Sequence, residues 1–285
     1  MIIIFALTIS CVDKYESCDL WSKVGECSNN PSYMLQNCKK SCNVCNITCN
    51  EQVKYIENNF INKTVDRIKK YTNNVIFHKK EPLVVEINNF LTDVESNHII
   101  KLCTGKFSRS QAGDGITRSR TSEQCWCQDK KCTNDDVIKK VEERISSLLN
   151  MSYENAEFMQ ILKYEENQYY MEHHDQNSPH DSLQGPRVFT FFMYLNTVER
   201  GGETYFPKLN LSIKPIKNKA ILWNSIRGEN NDEINTFHEA KPVIKGLKYA
   251  ANLWFHSGKF RLLHTLGCPL KYETHYVPTT YKTEL

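Results

Sequence analysis

Two changes of rhythm divide the pattern of apolar and polar positions along this chain. From Glu51 onward, Val53, Ile56, Phe60, Val65 and Ile68 recur every three to five residues in polar surroundings, which predicts one amphipathic helix reaching about Tyr71. "PLVVEI" then alternates like a strand, and "TDVESNHIIKLC" opens with a Thr-x-x-Glu capping box and continues as a helix. Thr133 with Asp136 gives a second capping signal ahead of Val137, Val141, Ile145 and Leu148 at helical spacing. Beyond Asn150 short apolar or alternating runs take over: "EFMQILKY", "RVFTFFMYLN", "GETYF", "KAILWN", "PVIKG" and "LKYAANLWFH". Turn signals such as "NSP", "ERGG" and "RGENND" separate them. The pattern predicts a mainly β chain with flanking helices, its strands forming an antiparallel sandwich or barrel of the jelly-roll kind.

Composition narrows the function. A chain of 285 residues can bury a substantial core in one or two domains. Its net charge of +3, with basic residues scattered, offers no nucleic-acid surface and directs attention to a small-molecule or polypeptide partner. Cysteine changes the picture most. Six of the 12 cysteines fall in one short window, at Cys11, Cys18, Cys27, Cys38, Cys42 and Cys45. A segment this short cannot bury enough apolar surface to fold unaided, so the set reads as a disulfide framework. The competing reading, a zinc module, lacks a histidine and a second CxxC pair. Spacing leaves 15 pairings of six cysteines open.

Disulfides require an oxidising compartment. "MIIIFALTIS" (residues 1–10) is apolar but much shorter than the roughly 20 residues that span a bilayer, so it predicts a short or truncated secretion signal and no transmembrane anchor. Sequons at Asn46, Asn62, Asn150 and Asn210 predict a glycoprotein, and the final "KTEL" is close to the retrieval signal of soluble endoplasmic reticulum proteins. Together they place the chain in the endoplasmic reticulum lumen.

The candidate chemistry centres on "YYMEHHD". In an extended segment His173 and Asp175 share a face while His174 points away. His238, in "INTFHEAKPVIKG", is the candidate third ligand; two histidines and a carboxylate leaving neighbouring positions open are the arrangement of non-haem Fe(II) oxygenases. Lys248 follows ten residues later. An ammonium inside a barrel costs several kcal/mol unless an anion meets it, and a dicarboxylate co-substrate would supply that anion. A zinc hydrolase could use the same three ligands but gives no reason for the lysine.

The blocks "YEENQYYMEHHD", "RVFTFFMYLN", "GGETYFP" and "FHEAKPVIKGLKYAANLWFH", in this order, resemble those of prolyl 4-hydroxylases, dioxygenases dependent on Fe(II) and 2-oxoglutarate, over about residues 82 to 258. The resemblance implies a double-stranded β-helix with His173, Asp175 and His238 as iron ligands. It also implies that Lys248 pairs with the distal carboxylate of 2-oxoglutarate, Tyr164 donates a hydrogen bond nearby, and Thr190 and Trp254 flank the co-substrate. Arg120, Thr121 and Ser122 resemble the mobile substrate loop. Glu157, Tyr170, Arg187 and His256 match positions lining the peptide groove. The implied reaction uses O2, converts 2-oxoglutarate to succinate and CO2, and hydroxylates C4 of a peptidyl proline, with ascorbate rescuing oxidised iron. Asn167 stands where many members have glycine, a change that left-handed backbone angles tolerate. "CWCQDKKC" replaces residues that are commonly apolar, and its cysteines are candidates to staple the loop.

"GECSNNPSYMLQNCKKSCNVC" resembles the ShK-toxin-type domain, whose usual pairing implies Cys11 with Cys45, Cys18 with Cys38 and Cys27 with Cys42. Channel-blocking members use a Lys-Tyr pair; here Tyr33 is present but Ser32 stands at the lysine position, which argues against that activity. The expected organisation is therefore a signal segment (1–10), a disulfide-rich module (11–45), a helical linker (46–80), the oxygenase domain (81–258) and a tail (259–285). The expected partner is a proline-rich polypeptide, collagen-like or another secreted protein, and the expected state a monomer or homodimer. Two alternatives stay open: a lumenal oxygenase acting on lysine, although lysyl hydroxylases carry arginine at the Lys248 position, and a non-catalytic binding protein. His174 and His180 are expected to support the site or lie on the surface, and His78, His98, His264 and His275 to be structural. No pairing is derivable for Cys49, Cys103, Cys125, Cys127, Cys132 and Cys268.

Overall fold

"RVFTFFMY" is apolar at nearly every position because the strand it forms, Arg187–Tyr194, is covered on both faces. The computed structural model describes residues 11–45, 49, 56, 59–111, 117–228 and 231–272. The expected leader, Val53, the Asn46 sequon, His275 and the terminal KTEL lie outside them. The chain divides into two units, residues 1–51 with 262–270, and residues 52–261 with 271–285.

The larger unit is built on an antiparallel sheet of eight strands. Its order runs Val75–Lys80, Leu83–Ile87, Ala220–Asn224, Arg187–Tyr194, Lys248–His256, Gln160–Tyr164, Glu123–Trp126 and Ser108–Arg109. Successive side chains alternate between faces. Phe189, Phe191 and Met193 thus join one core with the helices Phe60–Tyr71, Asp93–Cys103 and Asp136–Leu149, while Phe192 and Tyr194 join a second core on the other side. Phe60 meets Phe189 edge-on at 5.5 Å, and Phe90 meets Phe191 at 4.7 Å, so helix and loop residues are keyed into the outer face. A four-stranded sheet, in the order Leu211–Ile213, Thr204–Phe206, His238–Ala240 and Tyr170–His173, contributes Phe206, Ile213 and Tyr170 to the second core. Two sheets enclosing this inner core make the expected jelly roll, with the helices packed on the outer face of the larger sheet.

Two local expectations are corrected. Val75–Lys80, assigned to the helical linker, pairs with Leu83–Ile87 as the edge of the sheet. Its lysines, Lys79 and Lys80, are exposed there, as suits a strand that must not recruit another. The Thr92 capping box is present, with Glu95 reaching back to Thr92 N–H. The second cap is Asp135, whose Oδ1 accepts from the N–H groups of Val137 and Ile138; Thr133 instead ends a short helix, Lys130–Thr133. A carboxylate at that end also meets the positive end of the helix dipole, which a threonine cannot do. Two disulfides sit on either side of Trp126: Cys103–Cys125 ties a helix end to the strand, and Cys127–Cys132 closes the following loop.

The smaller unit carries three short helices, Cys18–Lys23, Glu26–Asn29 and Pro31–Asn37, around buried Cys18, Met34 and Cys38. So few apolar side chains cannot hold the unit, and cross-links do. The pairing is the one the resemblance implied: Cys11–Cys45, Cys18–Cys38 and Cys27–Cys42, with Cys49–Cys268 added. No described helix is long and apolar enough to cross a membrane.

The capping assignment is testable: Asp135→Ala should destabilise the larger unit by about 1–2 kcal/mol in urea unfolding, and Thr133→Ala by less than about 0.5 kcal/mol. Equal effects would return the cap to Thr133.

Candidate active site

His173 and His238 are brought together by strand pairing: Tyr170–His173 and His238–Ala240 run antiparallel with the two histidines directly opposite. Their ring centroids lie 4.3 Å apart. Asp175, two residues beyond His173, returns to the same side, its Oδ1 3.7 Å from His173 Nε2 and its Oδ2 3.7 Å from His238 Nε2. One donor atom from each of the three lies within 4.8 Å of the others. His173 Nδ1 donates to Met171 O at 2.8 Å and His238 Nδ1 donates to Thr236 O at 3.0 Å. A carbonyl only accepts, so each neutral ring carries its proton on Nδ1 and presents Nε2 as the coordinating nitrogen. Tyr170 stacks on His173 at 3.6 Å and Trp223 meets His238 edge-on at 4.6 Å, which fixes both ring planes. His174 turns away, as expected, and donates to Glu233 O at 3.0 Å.

Asp175 is buried and charged. Burial pushes its carboxyl up, but the His238 and His173 imidazoles, the Arg187 guanidinium and the Thr190 hydroxyl together hold it well below the usual carboxylate range. Thr190 Oγ1 donates to Asp175 Oδ2 at 2.7 Å, and Arg187 donates to the Asp175 carbonyl at 3.0 Å. Two imidazole nitrogens and a positioned carboxylate suit a divalent metal of intermediate softness such as Fe(II).

A cavity of about 320 Å³ opens onto these three side chains. Arg120, Tyr164, Tyr170, Glu157, Arg187 and Trp254 line it, whereas Thr190, Ser122, His256 and Lys248 do not. Ser122 accepts from Arg120 Nε at 3.3 Å, and His256 lies 2.8 Å from Glu157. The Arg120–Thr121–Ser122 block is pinned to the sheet edge, with Thr121 N–H donating to Tyr169 O at 2.9 Å. Glu157 also accepts from Arg187 Nε at 2.6 Å. Burial pushes its carboxyl up, but Arg187 and His256 bring it down to about 2.

Lys248 is fully buried, its ammonium 4.9 Å from the Tyr164 ring and 5.6 Å from the Phe192 ring, two residues that line the cavity. It donates to Gly202 O at 2.7 Å, and burial brings its pKa down to about 7. The neighbouring Gly201 has no room for a side chain, since a Cβ there would lie 2.4 Å from Pro242 O. The first glycine of "GGE" is thus required where this turn packs against residues 242–244, the segment with which Gly201 pairs.

Residues 159–256 match the 2OG-Fe(II) oxygenase superfamily model, and residues 10–45 the ShK domain-like model. Prolyl 4-hydroxylase 5 of Arabidopsis thaliana is 31% identical over 64% of this chain and 71% of its own length. The chain belongs to the prolyl 4-hydroxylase family. Prolyl 4-hydroxylase subunit alpha-3 of Bos taurus is 33% identical over 62% of this chain, which spans only 34% of that subunit. Among solved structures, the viral collagen prolyl hydroxylase of Paramecium bursaria Chlorella virus-1, in complex with 2OG, aligns at 30% identity with a TM-score of 0.50, covering 61% of this chain and 95% of that one. Prolyl 4-hydroxylases are 2-oxoglutarate-dependent dioxygenases acting on proline; this chain shares their fold and gathers His173, Asp175 and His238 at one point.

Sequence reading passed over Gln124, Trp126, Gln160 and Asn252, which also line the cavity. The alternation of "MQILKY" and "YAANLW" carried the signal, because Gln160 shares a face with Leu162, and Asn252 with Trp254.

The Glu157 pairing yields a pH prediction. Its folded value, about 2, lies below the unfolded 4.5, so its stabilisation is complete above pH 4.5 and is lost as pH falls through about 2. Glu157→Gln should cost about 3–5 kcal/mol at neutral pH by stranding Arg187. Denaturant unfolding at a series of pH values should show that gap narrowing only below about pH 4.5.

Proposed function

We propose that this chain hydroxylates peptidyl proline at C4, holding Fe(II) through His173 Nε2, the Asp175 carboxylate and His238 Nε2. The observation that carries the reading is the pair of Nδ1–H donations to backbone carbonyls, which commits both Nε2 atoms to a shared point beside Asp175. Iron supplies the oxidising chemistry with O2 and 2-oxoglutarate when bound. The chain's own groups orient and exclude water. Thr190 and Arg187 hold Asp175 in place, and Tyr170 and Trp223 hold the imidazoles.

Lys248 is assigned to the distal carboxylate of 2-oxoglutarate, with Tyr164 beside it and Trp254 flanking the co-substrate. A buried ammonium whose proton is already loosened needs an anion, and the carboxylate answers that need. Arg120, Glu157, Tyr170 and Arg187 are assigned to the proline-rich peptide, with Ser122 and His256 supporting them. Ascorbate is assigned as the reductant that keeps the iron ferrous. Six disulfides joining all 12 cysteines support an oxidising lumenal compartment, and we assign the endoplasmic reticulum. Exposed Asn62, Asn150 and Asn210 are available to glycans there. We assign a monomer or homodimer as the working state.

The test is incubation of the full chain with proline-rich peptides, Fe(II), 2-oxoglutarate and ascorbate, followed by mass spectrometry. Product one oxygen heavier on proline, lost in His238→Ala and Asp175→Ala, is expected; oxygen on lysine, or no turnover with iron bound, would overturn the reading. Thr190→Val should weaken Fe(II) binding by about 10- to 100-fold, measured by titration, because it removes the hydrogen bond that aims the carboxylate.

Lys248 gives a separate expectation. Its burial-lowered pKa of about 7 means that above pH 7 the empty site is mostly neutral and must take up a proton to meet a carboxylate. Calorimetry of 2-oxoglutarate binding at pH 8 in buffers of different ionisation enthalpy should show net proton uptake, absent in Lys248→Met. Apparent affinity should fall with rising pH, by up to about tenfold per unit.

A further inference from the structure

Asn252, Gln160 and Gln124 form a row of carboxamides across three adjacent strands of the larger sheet. Asn252 and Gln160 are direct cross-strand partners, and Gln124 lies on the next strand, two residues from Trp126, the partner of Gln160. All three turn toward the cavity with Trp126 and Trp254.

A carboxamide can be placed in either of two orientations, and here chemistry selects one. Arg120 has donors only, and its guanidinium stands 3.2 Å from Gln160, so the Gln160 atom facing it is Oε1. Gln160 Nε2 therefore faces Gln124 at 2.7 Å, and the atom receiving it is the Gln124 oxygen. Asn252 Nδ2 donates to the same Gln160 Oε1 at 3.3 Å, in the same sense. Arg120 and Gln160 are buried, so this orientation is set away from water. Gln124 ends the relay half-buried on the cavity wall, and with its oxygen engaged by Gln160 its amide nitrogen is the end left to meet an occupant.

Beside it, the indoles of Trp126 and Trp254 lie 6.1 Å apart, and the Arg187 guanidinium covers Trp254 at 4.1 Å. A proline-rich chain in polyproline II form has no N–H at its prolines and leaves its carbonyls solvated, while its rings present apolar faces. Donors beside indole rings complement that chain; acceptors in the same place would repel it.

We propose that Gln124 is a specificity-determining residue. Its carboxamide, held with the nitrogen outward by Arg120 through Gln160, hydrogen-bonds a backbone carbonyl of the proline-rich substrate next to the residue that is hydroxylated. The proposal rests on the peptidyl-proline reading above and adds the polarity of the contact. Gln124→Glu preserves an oxygen for Gln160 and replaces the outward donor with a charged acceptor. Gln124→Leu removes both ends.

The experiment measures KM and kcat for an oligoproline peptide with the iron-loaded full chain, and equilibrium binding of the same peptide by tryptophan fluorescence. Gln124→Glu should raise KM and the dissociation constant about tenfold, and Gln124→Leu somewhat less, with kcat within about twofold. A peptide series carrying a single backbone thioamide, a weaker acceptor, should contain one position that weakens binding to the parent and not to Gln124→Leu. KM within about twofold of the parent in both variants, or no such thioamide position, would overturn this inference while leaving the hydroxylase reading intact. A parent that neither binds nor oxidises oligoproline would remove the hydroxylase reading first, and this inference with it.

Discussion

A carboxylate shut away from water must be met by positive or hydrogen-bonding groups, and the larger unit is arranged around meeting that demand at Asp175. The surrounding groups come from separate elements: His173 from one strand of the smaller sheet, His238 from its neighbour, Thr190 and Arg187 from the middle of the larger sheet. None of these contacts is local in sequence except the one with His173. The geometry therefore exists only when both sheets have formed and faced each other, so folding and assembly of the site are one event. Placing the acid beside the Arg187 guanidinium and the Thr190 hydroxyl has a chemical consequence too, since they help to keep it an anion across the working pH range.

Much of this was legible in the chain because period-two alternation dictates which side chains share a face. His173 with Asp175 and the turning away of His174 follow from that rule alone, and the meeting with His238 is implied by the family's blocks. The rule was harder to apply where both faces are buried. "RVFTFFMY" shows no alternation of apolar and polar residues, so Thr190 stands out only by resemblance, although the strand does send it to the inner side. The edge strand Val75–Lys80 was missed for the opposite reason: half of it faces water and its two lysines resemble linker. Asp135 escaped because two potential caps, Thr133 and Asp135, lie within three residues, and only the position of the first helical turn separates them.

Charge around the cavity follows a consistent division. One region holds imidazole, carboxylate and hydroxyl around the candidate metal position, and behind the wall formed by Tyr164 and Phe192 a single ammonium, that of Lys248, lies among the rings of Tyr164, Phe192 and Tyr194. The aromatic faces soften the cost of that cation, yet burial still loosens its proton. A neutral ligand would leave the cost in place, which favours an anionic co-substrate over any uncharged one of similar size.

The cross-links beside Trp126 bear on which part of the site depends on oxidation. Cys103–Cys125 anchors the strand that carries Gln124 and Trp126 to a helix end, and Cys127–Cys132 closes the loop beyond it, whereas His173, Asp175 and His238 are positioned by strand pairing, hydrogen bonds and ring contacts. Reduction of these two cross-links would thus loosen first the wall lined by Gln124 and Trp126, and would break no covalent bond at the metal-binding cluster. The redox state of the compartment therefore bears on that wall more directly than on the three ligands.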